Sequence, residues 1–322
     1  MLDRHSKLWY DREKGGVPMD IRVLRYFLAV AREQSFSTAA ERLFLSQPTL
    51  SRQLRELEEE LGKVLFIRSN KGVTLTEEGM ILRKRAEEIV ELMEKTEQEV
   101  RQSNDNVSGT VYIGAGETYA IKLIADTAHH LKADYPDIRY SFFSGNGTDV
   151  MEKLERGLLD FGLVFGNADR TKYEAIEIPL HDTWGVLMRR DEPLAQKESV
   201  TIADISGLNL MIPRQSNHST MLSELIAEQA HDAKIIAEYN LIYNASVMVN
   251  EGIGCAIALD KLINVSGDSR LCFRPFTPRM EAICYFIWKR YPVFTKAAST
   301  FLQQFQSDLL RLHQDNTRKA EC

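Results

Sequence analysis

The chain has 322 residues, 44% of them hydrophobic and 27% charged, with a formal net charge of −6, which is room for two or three domains with cores of their own. No run approaches the roughly 18 consecutive apolar residues of a membrane span, and the opening M-L-D-R-H-S-K-L-W-Y lacks the apolar region of a signal peptide, so a cytoplasmic protein with no membrane partner is expected. Cys255, Cys272, Cys284 and Cys322 form no C-x-x-C pair and have no histidine at ligand spacing, which argues for buried thiols rather than a metal site or a disulfide framework.

The negative charge is unevenly spread. Residues 19–75 hold nine Lys or Arg against seven Asp or Glu, whereas 76–108 hold five against nine, leaving a locally basic surface near the start of an acidic chain. Apolar residues at 21, 24, 27, 28 and 31 predict a first helix over Ile21–Glu33. Ser37 offers an N-cap hydroxyl for a short second helix bearing Ala39, Ala40, Leu43 and Phe44. Ser46 caps a third, with Pro48 in its first turn, Leu50, Leu54, Leu57 and Leu61 on its inner face and Gly62 at its end. Helices two and three stand only a few residues apart, so a helix-turn-helix is predicted.

The leucines push Gln47, Thr49, Ser51 and Arg52 onto the outer face of the third helix, where such groups can donate to phosphates or to base edges in a major groove. The plain alternatives are a solvent-facing Ser51 and an Arg52–Glu56 ion pair one turn on. V-L-F-I-R-S-N-K-G-V-T-L-T, from Val64, then reads as two strands around Ser69-Asn70-Lys71-Gly72, a wing whose tip carries Arg68 and Lys71.

From Thr76 to Arg101, Leu82, Ala86, Ile89, Met93, Thr96 and Val100 recur at steps of four and three. That seam predicts a dimerisation helix, with a long helix lying on its own domain as the alternative. Q-S-N-D-N-V-S-G ends it, and the pattern changes to alternating strands and helices. Strands are expected at Thr110–Gly114, Ile138–Phe143 and Phe161–Phe165, then in W-G-V-L-M-R-R, L-N-L-M-I-P, I-I-A-E-Y and A-I-C-Y-F-I-W-K, with a last helix from Thr295 to about His313. Nothing resembling G-x-S-x-G, a P-loop or H-E-x-x-H is present, and His129, His130, His181, His218 and His231 show no spacing for a metal or a triad. The expected protein is not an enzyme and needs no cofactor; a pure nucleoid-type DNA binder would leave the α/β region unexplained.

The blocks F-x-x-V-A-R-E-Q-S-F-S-T-A-A-E-R-L, S-Q-P-T-L-S-R-Q-L-R-E-L-E-E-E-L-G, L-F-I-R and L-T-E-E-G resemble the winged helix-turn-helix of the LysR-type transcriptional regulators. The later Y-P-D-I-R-Y, G-L-L-D-F-G-L and N-x-S-x-x-x-V-x-x-G-I-G stretches resemble the two-lobed, periplasmic-binding-protein-like effector domain of that family. The resemblance implies a multidomain chain: a DNA-binding domain over 19–76, a linker helix over 77–107 and an effector domain over 108–315. Its first lobe would take 108–181 and 278–315, its second 182–277, with a tail at 316–322. Residues 1–18 precede the family's first helix, and Gly15-Gly16, which can be encoded by a ribosome-binding sequence, make Met19 the expected native start.

The resemblance further implies that Gln47, Pro48, Thr49, Ser51 and Arg52 contact promoter DNA, with Arg68 in the wing; Ser37 and Lys71 complete the candidate set. It implies a homodimer that assembles into a tetramer, a small-molecule effector, and RNA polymerase as a further candidate partner. A-I-A-L-D-K lacks the proline common in the family at that point, with no functional consequence expected. In open α/β sheets ligands lie beyond the carboxyl ends of strands. That rule nominates Gly116, Glu117, Thr118, Ser144, Gly145, Asn146, Phe165, Pro213, Arg214 and Asn244. Among them Ser144 and Asn146 could be plain turn residues, Asn244 an N-cap, and Glu117 either a cap on its own helix or a carboxylate facing a hydroxyl or amine of the ligand.

Overall fold

The computed structural model describes residues 19–69, 72–101, 106–166, 169–214 and 221–320. The chain divides after Arg101 into two compact units. Residues 1–18 and Lys71 lie outside the described residues.

In the first unit, α1 (Ile21–Glu33) begins at Asp20, whose Oδ1 accepts from the amides of Arg22 at 2.8 Å and Val23 at 2.9 Å. Gln34, in the left-handed region, ends it, and α2 (Phe36–Arg42) restarts two residues on. The cap of α2 is therefore Ser35, which accepts from the Thr38 amide; Ser37, the expected cap, stands exposed in the first turn. α3 (Gln47–Leu61) starts at Ser46 and closes at Gly62, at φ 62°. Phe27, Val30, Ala39, Leu50, Leu54, Leu57 and Phe66 form the core. Leu61, expected on the inner face, is exposed because the helix outruns that core by its last turn. Strands β1 (Phe66–Ser69) and β2 (Gly72–Leu75) pair antiparallel. Glu58 joins them to α3 by accepting from the amides of Leu65 at 2.7 Å and Phe66 at 3.2 Å.

The long helix α4 (Glu77–Arg101) corrects the heptad reading. Ala86 is fully buried in the core of the winged helix, with Leu82 and Val90 packed beside it and α1 as the neighbour. Two of the six expected seam residues, Leu82 and Ala86, are thus already used within the unit. Ile81, Ile89, Leu92, Met93 and Val100 are left exposed on the helix; Ile89, Met93 and Val100 belong to the predicted seam, and Ile81 and Leu92 extend it to one side.

The second unit holds two sheets. β3 (Gly109–Ala115), β4 (Ile138–Ser144), β5 (Phe161–Phe165), β6 (Tyr173–Glu177) and β13 (Cys284–Lys289) form a five-stranded sheet in the order β4-β3-β5-β13-β6, the first lobe. β7 (Asp182–Arg189), β8 (Asn209–Pro213), β9 (Lys234–Tyr239), β10 (Cys255–Leu259) and β11 (Leu271–Pro275) run β11-β7-β10-β8-β9 in the second, with β12 (Glu281–Ala282) paired to β7. The second sheet therefore keeps the chain to Ala282, five residues past the expected boundary at 277. Helices α5 (Ile121–Leu131) and α9 (Lys296–Ala320) cover the first sheet over Phe161, Phe286, Phe301 and Phe305, and α9 runs into the segment expected as a tail. α6 (Gly147–Glu155), α7 (Met221–Gln229) and α8 (Ile242–Asn250) complete the lobes.

Phe44, between α2 and α3, sits at φ 55° and is 96% exposed. A left-handed backbone strains an L-residue with a large side chain, and here no packing compensates. Phe44→Asn should raise the unfolding free energy of the protein by about 0.5–1 kcal/mol; urea unfolding followed by circular dichroism measures it.

Candidate functional site

In the first unit the N-terminal turn of α3 presents Gln47, Pro48 and Thr49 to solvent. The Thr49 hydroxyl is within 2.8 Å of that of Ser46, so the cap orders the first exposed side chains. Arg52 is 71% exposed, with Nε 3.8 Å from Glu56, too loose a pair to hold it back from a ligand. Ser51 corrects the expectation. It is only 8% exposed, turned toward β1 on the edge of the leucine face, and its Oγ accepts from Arg68 Nη1 at 3.4 Å. The Arg68 guanidinium also lies 4.3 Å over the Phe36 ring. Arg68 is thus on the strand rather than at the wing tip, its head held between α2 and α3 by a cation–π contact and a hydroxyl. Phe36 and Arg68 stand 32 positions apart, and no local pattern links them.

The second unit contains a cleft of about 1380 Å³ between its lobes. Gly116, Glu117, Asn146, Phe165, Pro213 and Arg214 line it, as the strand-end rule expected. Thr118, Ser144, Gly145 and Asn244 do not. Thr118 is buried, and its hydroxyl donates to Asp182. Ser144 is exposed at the end of β4, and the Gly145 amide donates to Ala115 O at 3.0 Å, closing the strand. Asn244 falls inside α8, which begins two residues earlier at Ile242, and it faces solvent instead of capping. Trp184, Tyr239, Asn240, Thr201 and residues 276–283 also line the cleft. Tyr239 and Asn240 lie at the carboxyl end of β9, where the strand-end rule applies and they were overlooked; Trp184 within β7, Thr201 and the return crossover lie where that rule does not reach.

Two carboxylates tie the lobes together across this cleft. Asp182 is 1% exposed and accepts from Thr118 Oγ1 and, at 3.2 Å, from the Tyr119 amide. Burial raises its pKa, opposed by those two donors. Glu117, from the first lobe, accepts from the Ile242 amide at 2.5 Å, at the N-terminus of α8 in the second. It caps a helix, but the opposite lobe's helix rather than its own. Burial raises its pKa too, against the pull of the Ile242 N–H. The α6 N-terminus, also on the cleft, is closed by Asn146 Oδ1, which accepts from the Asp149 amide at 2.9 Å.

A helix-turn-helix with a wing and a long helix, followed by two lobes around a ligand-sized cleft, is the architecture of a DNA-binding regulator that answers to a small molecule. The family described as "LysR substrate binding domain" matches residues 104–309, and "Bacterial regulatory helix-turn-helix protein, lysR family" matches 21–80. The HTH-type transcriptional regulator BsdA of Bacillus subtilis (strain 168) is 30% identical over 246 residues, 74% of this chain and 83% of that relative. CbnR, a LysR family transcriptional regulator, superposes with a TM-score of 0.72 at 19% identity, covering 90% of this chain and 99% of CbnR. Full-length CbnR complexed with its target DNA gives 0.70, also at 19% identity, over 90% and 100%; both likenesses are of fold.

The chain belongs to the LysR family of transcriptional regulators. It is a sequence-specific DNA-binding regulator, not an enzyme, whose action at its promoter is modulated by a small-molecule effector.

Asp182→Ala would leave the Thr118 hydroxyl and the Tyr119 amide without their acceptor. The expected loss is about 2–4 kcal/mol of stability, read as a lower urea midpoint with an unchanged slope.

Proposed function

We propose that Gln47, Pro48, Thr49 and Arg52 enter the major groove while Arg68, fixed beside them, contacts the backbone or the adjacent minor groove. The observation that carries this reading is the exposed turn at the start of α3, next to an arginine that two other elements hold in place. Ser51 then acts on DNA through Arg68. Ser37, exposed at the start of α2, has the position of a phosphate contact. Lys71 keeps its role as a wing-tip phosphate contact from the sequence alone.

The dimer is proposed to form through the exposed stripe of α4, Ile81, Ile89, Leu92, Met93 and Val100, with further assembly through the effector domains into a tetramer. Two recognition helices per dimer call for half-sites about one helical turn, roughly 34 Å, apart in an interrupted inverted repeat. RNA polymerase is the partner that an assembly so placed on a promoter would meet. The cleft between the lobes is the effector site, supported by its volume and by the meeting of both lobes at its walls.

Footprinting and titration of operator against random DNA test the interface. Arg52→Ala should lose about 1–3 kcal/mol on the operator and flatten discrimination at one or two base positions. Arg68→Ala should weaken operator and random DNA alike and lower the salt slope by about one unit. Equal loss on both DNAs for Arg52→Ala would overturn its assignment.

Leu92→Asp places a charge in the exposed stripe without touching the winged-helix core. Light scattering at micromolar concentration should show the dimer dissociated while helical content is kept. A variant that remains dimeric would move the interface elsewhere.

A further inference from the structure

The charged groups in the cleft are not balanced. Of its two cations among the described residues, Arg279 Nε stands 3.2 Å from Glu281, and Arg214 stands 3.9 Å from Glu238 in a pair as loose as that of Arg52; neither acts on Glu117. At two of the helix N-termini on its walls the chain's own acceptors are in place, Asn146 on α6 and Glu117 on α8. Around Glu117, then, neither a free helix N-terminus nor a guanidinium stands ready for an anion among the described residues.

Acceptors are in surplus instead. Glu117, on the lining, gives Oε2 to the Ile242 amide, which leaves Oε1 with no cation beside it among the described residues; the Asp149 carboxylate, also on the lining, has none either. Burial without a counter-charge is what raises the Glu117 pKa, and an ammonium group against Oε1 would reverse that. Around these carboxylates the walls are apolar and aromatic, with Phe165, Trp184, Tyr239 and Phe276, surfaces that hold a hydrocarbon body and attract a cation over a ring face.

We propose that the effector of this regulator is an organic amine, bound as its ammonium ion by the free oxygen of Glu117, with its apolar portion against the aromatic walls of the cleft. The proposal rests on the reading of the cleft as the effector site. Because the same carboxylate caps α8 through its other oxygen, an amine held there is in contact with both lobes at once, and its binding bears directly on how firmly they stay closed. A carboxylate ligand would meet the reverse situation at the α8 N-terminus, where Glu117 already places a negative charge.

The test uses the full chain and calorimetric titration with tyramine and cadaverine, against N-acetyltyramine, 3-(4-hydroxyphenyl)propionate and glutarate as uncharged or anionic counterparts. At least one amine is expected to bind, and its N-acetyl or carboxylate counterpart to bind about ten- to a hundredfold more weakly. Glu117→Gln should weaken the amine by a similar factor. Thr148→Trp, at an exposed lining position on α6, should block every probe by filling the cleft.

The N-acetyl comparison needs no variant, so it stands if Glu117→Gln proves unstable. Equal binding of tyramine and N-acetyltyramine, preference for the carboxylates, or no response to any probe at millimolar concentration overturns the proposal. If carboxylates bind and Thr148→Trp blocks them, the cleft remains the effector site and only the amine assignment falls. If amines bind but are indifferent to both Thr148→Trp and Glu117→Gln, the reading of the cleft itself falls.

Discussion

The second unit depends on a carboxylate that water never reaches. Asp182 stands where the chain first leaves the five-stranded sheet for the other, and it takes the Thr118 hydroxyl and the Tyr119 amide from the far side of that crossing. A buried anion is tolerated only when its oxygens are matched by donors in good geometry. Its requirement therefore fixes the loop after β3 against the start of β7. That loop also carries Gly116 and Glu117, so the alignment of one wall of the cleft follows from a hydrogen-bonding need at its base. Asp260, which accepts from the Thr183 amide at 2.9 Å, extends the same arrangement into the second sheet.

Arginine placement follows a related logic in the first unit. A guanidinium on a two-stranded wing has many rotamers, and ordering it on contact with DNA carries an entropic cost. Phe36 under its plane and Ser51 at its edge restrict Arg68 beforehand. The serine that looked like a reader of bases is turned inward to do this. Its neighbours Gln47, Thr49 and Arg52 keep the outer face.

The sequence carried the local information well. Ser46, Pro48 and Gly62 sit where capping chemistry puts them, and the α/β alternation with its two-lobed fold was legible from strand and helix periodicity together with motif resemblance. Errors arose wherever a non-local contact chose between equivalent local options. Two serines, Ser35 and Ser37, could cap α2, and the left-handed Gln34 decided in favour of the first. A heptad count cannot tell which stripe of a helix its own domain has claimed, so Leu82 and Ala86 were assigned to a partner they do not face. β6 and β11 were missed because each is only five residues long and is interrupted by charge, Glu174 and Glu177 in one and Arg274 in the other. In the cleft, six of ten nominated residues lie on the wall, and Ser144 and Gly145 miss it although they too stand at a strand end. Thr118 and Asn244 went astray because a buried carboxylate and an earlier helix start redirected them.

Burial of Ala86 within the winged-helix core has a mechanical side. α4 is 25 residues long, about 37 Å, and roughly its first half is packed into the same core as α3. Close-packed interiors deform little, so no compliant joint separates the helix from the DNA reader. A tilt of a few degrees at the far end of α4 is carried to α3 as the same angle, and over such a lever arm it becomes a displacement of some ångströms. On the groove placement proposed above, the unit would act as a stiff pointer, in which small rotations at one end shift the position of α3 at the other.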